Sequence, residues 1–216
     1  MYVKDIFYSI QGEGVYVGKP QIFIRFFGCN IHCAYCDEPD FEQDKVNQSK
    51  EWVLSQLEPF KGKAIHSVSM TGGEPLLHTK AIRELYPYMP APLFLETNVT
   101  LPDRLTEIKD IITYFSVDYK PGYEPAFEES MAILKDAPNV YVKYVLTSRF
   151  PDAHMEFLAK IMQKYPQFPV ILQPVTPFAE VTIPASPSDI FRAIELLKSL
   201  PDVRVIPQTH KFLGLK

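Results

Sequence analysis

This chain has no long apolar run, no excess of positive charge and little glycine. No run of about 18 apolar residues occurs, which argues against a membrane-spanning helix. The first five residues are mixed and polar, so we expect no signal peptide. The formal net charge is -4, which argues against a broad basic face and against bulk nucleic-acid binding. With only 9 glycines against 20 prolines, we expect many loop boundaries and few flexible tracts.

The bulk composition is that of an ordinary globular protein. A length of 216 residues favours one domain spanning 1–216 on the rough ~150-residue prior, with a core large enough to enclose a site. Hydrophobic residues make up 46% and charged residues 22%, as is typical of soluble proteins. We therefore expect a cytoplasmic protein, in a compartment where thiols stay reduced and free to bind metal.

The chain has only three cysteines, Cys29, Cys33 and Cys36. A four-iron cluster fully ligated by cysteine needs four thiolates, so three would leave one iron open to an exogenous ligand. This arrangement predicts an enzyme instead of a scaffold or an electron carrier. The alternatives are a zinc site with His32 as fourth ligand and inert buried thiols. Zinc sites usually pair ligands from two separated clusters, so the spacing favours the iron cluster.

Strand and helix patterns alternate after the cysteine loop. Strands are predicted at 21–27, 65–70, 93–96, 112–117, 140–146, 170–173 and 203–206, and helices at 50–57, 80–88, 104–109, 127–134, 153–164 and 188–200. Such alternation predicts βαβ units and a parallel sheet, hence an α/β fold. Six or seven repeats in so short a chain predict an incomplete (β/α) barrel.

Polar residues gather where the predicted strands end. Gly28, Thr71, Glu96, Asp118 and Gln173 all lie at such ends, where barrels carry their chemistry. Lys143 lies on an apolar strand, and the sequence leaves open whether it faces the barrel interior or reaches outward along its aliphatic stem.

The cysteine loop resembles the radical S-adenosylmethionine (SAM) signature, Cys-x3-Cys-x-aromatic-Cys, with Tyr35 at the aromatic position. In that superfamily SAM binds the open iron through its amine and carboxylate, and one electron releases a 5′-deoxyadenosyl radical. The resemblance implies an incomplete barrel of the radical SAM type. Tyr35 offers a flat face beside the cluster for the adenine.

Two further motifs are similar to SAM-binding elements of this superfamily. Thr71-Gly72-Gly73-Glu74-Pro75 matches the "GGEP" element that holds the methionyl amine, and paired glycines let the backbone approach a ligand closely. Alone it also fits a tight turn. Ser116-x-Asp118-x-Lys120 is similar to an element that contacts the SAM carboxylate and ribose, with a solvated loop as its alternative.

Motifs along the whole chain resemble one family, the 7-carboxy-7-deazaguanine synthases. They are Ser9–Gly14 ("SIQGEG"), Ile24-Arg25, the cysteine loop, Thr71–Leu77, Glu96-Thr97-Asn98 and Gln208–Gly214. Glycyl-radical activating enzymes share the cysteine loop but usually open with a "DGPG"-like element. The resemblance implies a radical SAM lyase that converts 6-carboxy-5,6,7,8-tetrahydropterin to 7-carboxy-7-deazaguanine with loss of ammonia, in queuosine and deazapurine biosynthesis. An activating enzyme for a protein partner, or a related pterin or purine substrate, is the alternative.

The resemblance also implies roles for individual residues. The three cysteines would hold the 4Fe-4S cluster, and Arg25 would pair with the substrate carboxylate, as a guanidinium does with bidentate geometry. Its alternative is an exposed strand-end charge. SAM would contact Tyr35, Asp37, Gly72, Gly73, Glu74, Thr97, Asn98, Ser116, Asp118 and Lys120. The substrate would contact Ile10, Gln11, Gly12, Glu13, Arg25, Thr71, Gln173, Gln208 and His210, although His210 alone could be a tail residue.

The sequence departs from the family pattern after Cys36-Asp37. Family members carry Thr or Ser there, whose hydroxyl helps to hold Mg2+, and this chain has Glu38. A carboxylate oxygen also ligates Mg2+ well, but it adds negative charge near an anionic substrate. The segment 121–125 departs as well, and both changes leave the radical chemistry intact. The family further implies a reductase such as flavodoxin or ferredoxin as electron donor. Because a partial barrel needs sealing against water, we expect a homodimer.

Overall fold

The computed structural model describes residues 1–36, 45–148, 150–177 and 183–216. One eight-stranded sheet runs through it, with the strands side by side in chain order. The strands are β1 (Val3–Ile10), β2 (Pro20–Phe26), β3 (Ser67–Gly72), β4 (Leu93–Thr97), β5 (Ile112–Asp118), β6 (Val140–Leu146), β7 (Val170–Pro174) and β8 (Val203–Val205). The helices are α1 (Lys50–Leu57), α2 (Thr79–Leu85), α3 (Pro102–Ile108), α4 (Glu124–Leu134), α5 (Asp152–Met162), α6 (Pro187–Leu196) and α7 (Thr209–Phe212).

The sheet is parallel from β2 to β8, as the alternation predicts. Only β1 runs antiparallel to its neighbour β2, which the strand–helix pattern did not predict. Parallel neighbours need a crossover of about a dozen residues or more, and the short connection at 11–19 cannot supply one. In the described strands β1 and β8 do not pair, so the prediction of an incomplete barrel is confirmed.

Each strand separates an outer face from an inner one, because successive side chains point to opposite sides. On β2, Ile22 and Ile24 are fully buried in the main core, which packs against the helices. The alternate residues Phe23 and Arg25 face the inside of the barrel. The inner face therefore holds the polar and aromatic side chains, and the helix-covered face supplies most of the apolar burial.

An aromatic cluster fills the barrel interior toward the starts of the strands. Tyr16 packs its ring edge against Phe94, at 5.6 Å between centroids, and against Tyr114, at 4.9 Å. Tyr141 and Ile171 are buried in the same cluster. These residues form a floor, above which the interior becomes polar toward the strand ends.

The segment after β8 returns to β1 at the mouth of the barrel. Thr209 N donates to Gly12 O at 2.8 Å, and Ser9 Oγ donates to Lys216 O at 3.0 Å. This segment thus links the two edge strands where the sheet does not close. No helix in the described residues is long and apolar enough to cross a membrane.

Candidate active site

A cavity of about 220 Å³ opens above the aromatic floor, at the carboxyl ends of the strands. All three cysteines line it, and so do all the residues that the sequence assigns to the substrate. Among residues assigned to SAM, the lining includes Tyr35, Gly72, Gly73, Glu74, Thr97, Asn98, Asp118 and Lys120. Elements far apart in the chain, from β1 to the segment after β8, therefore converge on one space.

The cysteine loop leaves β2 at Gly28, whose φ of +83° is a left-handed conformation that glycine adopts at no steric cost. A turn bond from Cys36 N to Cys33 O, at 3.1 Å, folds the loop back on itself. Burial raises the pKa of the Cys29 thiol. The thiol therefore favours its neutral form until a metal displaces the proton, since the thiolate is the form that ligates iron.

The two glycines of the Gly72-Gly73-Glu74 segment allow it to lie directly against the start of the cysteine loop. A Cβ on Gly73 would lie 1.8 Å from Gly28 O, and one on Gly72 would lie 2.4 Å from Phe26 N. Gly73 N donates to Phe26 O at 3.0 Å and Glu74 N to Gly28 O at 2.8 Å. The glycines are thus required by contact between two backbone segments, a reason the sequence did not reveal.

Glu74 is almost fully buried, and its carboxylate binds the end of β4. Oε1 accepts from Thr97 Oγ1 at 2.7 Å and from Leu76 N at 2.9 Å, while Oε2 accepts from Asn98 N at 2.8 Å. Burial raises the pKa of Glu74 to about 7 against the opposing effect of these donors. Glu74 therefore fixes the geometry of the strand ends around the cavity.

Asn98 connects β4 to the cysteine loop. Its Nδ2 donates to Asn30 Oδ1 at 3.0 Å and lies 4.0 Å from Cys29 Sγ. Its Oδ1 accepts from Thr100 N at 3.0 Å. Hydrogen bonds at both ends of its amide hold Asn98 in place, with its N–H group beside the Cys29 thiol. Hydrogen bonds to the cysteine sulfurs help to set the reduction potential of an iron–sulfur cluster.

Glu96 organises the cavity wall next to the predicted substrate residues. It accepts from Gln11 Nε2 at 2.9 Å, from Ser69 Oγ at 2.8 Å and from Thr71 Oγ1 at 3.1 Å. Burial raises the pKa of Glu96, with Lys143 acting in the opposite direction. Sequence reasoning quoted Glu96 only as part of a motif and assigned it no role. Its signal was a charge on an otherwise apolar strand.

Lys143 faces the barrel interior, which settles the alternative that the sequence left open. Its Nζ pairs with Glu13 Oε2 and lies 3.2 Å from Asp118 Oδ1. Burial opposes its charge, but Asp118 and Glu13 outweigh that effect and raise the pKa of Lys143 well above its ordinary value. Lys143 is therefore a fixed cation at the centre of the cavity wall.

Arg25 and His210 of the C-terminal segment also line the cavity. The Arg25 guanidinium lies over the Phe7 ring, 4.9 Å from its centroid, and Phe7 stacks on Phe23 at 5.1 Å. His210 packs so closely on Gly12 that a Cβ there would lie 2.0 Å from His210 Nδ1. His210 is thus held at the cavity by packing.

Comparisons with known proteins agree with this geometry. The family described as the Radical SAM superfamily matches residues 23–206. A 7-carboxy-7-deazaguanine synthase of Archaeoglobus fulgidus is 32% identical, covering 98% of this chain and 97% of that protein. One of Methanopyrus kandleri is 34% identical, covering 98% and 92%. The chain belongs to the 7-carboxy-7-deazaguanine synthase family of radical SAM enzymes. The crystal structure of QueE from Escherichia coli has the same fold, with a TM-score of 0.59 at 21% identity over 96% of this chain and 93% of that one.

Membership of this family implies a 4Fe-4S cluster and SAM, and the residues present fit both groups. Three thiols face one cavity, and a buried acceptor there, Gln173 Oε1, has no hydrogen-bond partner among the described residues. A buried acceptor without a partner is costly, so this atom is suited to a donor on a bound molecule.

Among the described site residues, only Ser116 does not line the cavity of this radical SAM enzyme. Ser116 is buried on β5, beside Glu96 and Tyr141 in the sheet register, and its contact with SAM stays a prediction. Asp37 and Glu38 lie outside the described residues.

His32 lines a neighbouring cavity of about 300 Å³, which Cys33 also lines, and does not line the cavity that all three cysteines share. In the described ranges, no group of three or more His, Cys, Asp or Glu side chains is placed to hold a single metal ion. The arrangement of these residues gives the zinc alternative no support.

Proposed function

We propose that this protein converts 6-carboxy-5,6,7,8-tetrahydropterin to 7-carboxy-7-deazaguanine with loss of ammonia, as a radical SAM carbon–nitrogen lyase of queuosine and deazapurine biosynthesis. One observation carries the proposal: the three thiols and the polar residues assigned to a pterin line the same cavity. The relatives that bear this activity in their names are about a third identical and match the chain over nearly its whole length.

Cys29, Cys33 and Cys36 would hold the cluster, and Asn98 would donate toward the Cys29 sulfur. When bound, the cluster and SAM supply reductive cleavage of a sulfonium and a radical that abstracts a hydrogen atom from the substrate. The Gly72-Gly73-Glu74 segment would present its backbone to the methionyl amine. Asp118 would accept from the ribose through its carboxylate, which also pairs with Lys143 and Lys120.

Arg25 would bind the carboxylate of the substrate, because a guanidinium matches a carboxylate with two parallel hydrogen bonds. Phe7 would hold the guanidinium from one side, and Phe23 would support the Phe7 ring by stacking on it. Gln173 Oε1 would accept from a pterin N–H, since it is buried and lacks a hydrogen-bond partner in the described part of the chain. Such donors and acceptors fix the ring while the strands around it exclude water.

Mg2+ is proposed as a further cofactor, with Glu38 in place of the family's Thr or Ser. Oxygen ligands suit Mg2+, which usually keeps several waters and takes one or two carboxylates. We expect turnover to rise with added Mg2+ and a Glu38→Thr variant to keep that dependence. A large loss of Mg2+-supported turnover in the variant, measured by product formation, would mean that Glu38 has a role of its own.

The remaining features of the proposal concern the setting of the enzyme. We propose that residues 1–216 act as one radical SAM unit in the cytoplasm, reduced by a flavodoxin or ferredoxin. Radical chemistry requires that water be excluded from the site, and a homodimer would help to seal the unclosed barrel.

Product analysis under anaerobic conditions tests the activity. The protein, with its cluster reconstituted, is incubated with SAM, dithionite and the carboxytetrahydropterin, and products are separated by chromatography and mass spectrometry. We expect 7-carboxy-7-deazaguanine and ammonia, with none when SAM is omitted. Formation of 5′-deoxyadenosine without any deazaguanine would contradict the proposal and favour an activating enzyme for a protein partner.

A further inference from the structure

We propose that Lys143 is a positioning residue that couples the substrate side of the cavity to its SAM side, so that binding on one side changes affinity on the other. The inference rests on the proposed function, because that function assigns the two sides. Neither the family motifs nor the sequence pattern gives Lys143 a role.

Lys143 stands in the middle of a continuous chain of polar contacts across the cavity wall. On one side its Nζ pairs with Glu13 Oε2, and Glu13 Oε1 accepts from Gln208 Nε2 at 2.8 Å. On the other side its Nζ lies 3.2 Å from Asp118 Oδ1. Glu13 and Gln208 belong to the substrate set, so Lys143 touches both halves of the site at once.

The series of polar contacts continues from Asp118 to the cysteine loop. Asp118 Oδ2 accepts from Lys120 Nζ at 3.1 Å, and Lys120 Nζ lies 3.4 Å from Tyr35 Oη and 5.1 Å from the Tyr35 ring centroid. Tyr35 directly precedes Cys36. A shift of the Asp118 carboxylate therefore changes its ion pair with Lys143 on one side and, through Lys120, the contact with Tyr35 on the other.

The charged groups in this series of contacts are largely buried, so water cannot readily take the place of a lost ion-pair partner. The side-chain exposure is 7% for Lys143, 17% for Glu13 and 21% for Asp118. Removing one partner of a buried ion pair leaves an uncompensated charge, which is strongly unfavourable. The carboxylates of Glu13 and Asp118 thus compete for the same cation, and a ligand that draws on one alters the pairing of the other.

The backbone explains why Lys143 transmits this competition. Asp118 and Lys143 are direct partners in the register of β5 and β6, so their spacing is fixed by the sheet. Glu13 comes from the connection between β1 and β2, which packs on β6 at Gly14, where a Cβ would lie 2.3 Å from the Tyr141 ring. The positions of Lys143 and Asp118 are therefore fixed relative to each other by the sheet, whereas Glu13 contacts Lys143 from a separate element.

Coupling of this kind is reciprocal and is measured as a ratio of dissociation constants. We expect the carboxytetrahydropterin to change the dissociation constant of SAM by about fivefold or more in the holoenzyme, within the usual range for coupled sites. In Lys143→Met, which keeps the length and loses the charge, the ratio should fall to about one. In Lys143→Arg, which keeps the charge, a substantial part should remain.

The experiment measures SAM binding to cluster-loaded protein without reductant, with and without the pterin. Lys164→Met is the matched control, because Lys164 forms an exposed ion pair with Glu128 far from the cavity, and it should keep the wild-type ratio. General destabilisation would weaken both SAM constants together and leave their ratio unchanged. An unchanged ratio in Lys143→Met, or a ratio of one in the wild type, overturns the inference.

A second variant covers the case in which Lys143→Met does not fold. Glu13→Gln leaves Lys143 paired with Asp118 and removes its pairing on the substrate side, so at a pterin concentration that still saturates this variant it too should bring the ratio to about one. A wild-type ratio in a folded, cluster-loaded Glu13→Gln overturns the inference. If the wild type makes deazaguanine while Lys143→Met keeps full coupling, the role of Lys143 alone fails. If the wild type neither binds the pterin nor makes product, the proposed function fails and the inference falls with it.

Discussion

Replacing Gly73 by alanine should prevent cluster assembly without unfolding the protein. A Cβ at this position would lie 1.8 Å from Gly28 O and 2.5 Å from Gly28 C, where real Cβ atoms keep at least 3.0 Å. The neighbours are backbone atoms, so no side chain can rotate away. The two segments must separate by at least about 1.2 Å, whereas functional groups need placement within about 0.5 Å.

The energetic cost follows from the bonds that the separation breaks. The hydrogen bonds from Gly73 N to Phe26 O and from Glu74 N to Gly28 O join these segments. Each such bond contributes about 1 kcal/mol net, and more when its groups stay buried and unpaired, so we expect a loss of about 2–4 kcal/mol. A domain is typically stable by about 5–15 kcal/mol. The variant should therefore fold, and its iron content becomes the decisive quantity.

The assay compares iron per chain after anaerobic reconstitution, with unfolding by denaturant as a check on folding. Gly62→Ala is the control, because no atom of the described residues lies within 4 Å of the added Cβ and only its φ of +79° is strained. It should cost about 1 kcal/mol and leave the iron content unchanged. A Gly73→Ala variant that assembles a full cluster would refute the argument that Gly73 sets the position of the cysteine loop.

Three further predictions test the cluster, the substrate side and the buried carboxylate. Cys33→Ala should abolish cluster assembly, and unchanged iron content would remove Cys33 from the ligand set. Arg25→Ala should raise the KM for the pterin about tenfold or more, as expected for a lost charge-assisted bond, and change uncoupled SAM cleavage much less; an unaffected KM would take Arg25 out of the site. The pKa of Glu74 is about 7 in the folded state against 4.5 in the unfolded state. Between these pH values the carboxyl group is protonated in the folded protein and ionised in the unfolded one. Because of this difference, cluster-free wild type should lose about 3 kcal/mol more stability than Glu74→Gln as the pH rises from 4.5 to 7. Parallel curves of unfolding free energy against pH for the two proteins would contradict the burial argument.

The alternating pattern predicted most of the fold because its causes are local. Apolar, β-branched strands such as 140–146 and helix 50–57 came directly from periodicity, and the structure confirms both. The antiparallel β1 was missed because its direction depends on the length of a connection and on pairing with β2. The convergence of strand ends on one cavity was predicted from the general property of barrels.

The details of the site escaped prediction because they depend on contacts between distant residues. Lys143 and Glu13 are 130 positions apart in the chain, so no local pattern reveals that they pair. Glu96 accepts from Gln11, after β1, and from Ser69 and Thr71 on β3, and its role becomes visible only in the folded sheet. The paired glycines were correctly noted as special, but the neighbour that excludes a side chain at Gly73 is the backbone of Gly28.

Electron paramagnetic resonance of the anaerobically prepared, reduced protein shows whether one iron of the cluster is open to SAM. We expect a 4Fe-4S signal that shifts when SAM is added, because three cysteines leave one iron open to the cosubstrate. A cluster whose spectrum ignores SAM, or iron sites that are all ligated by side chains of the chain, would contradict this expectation.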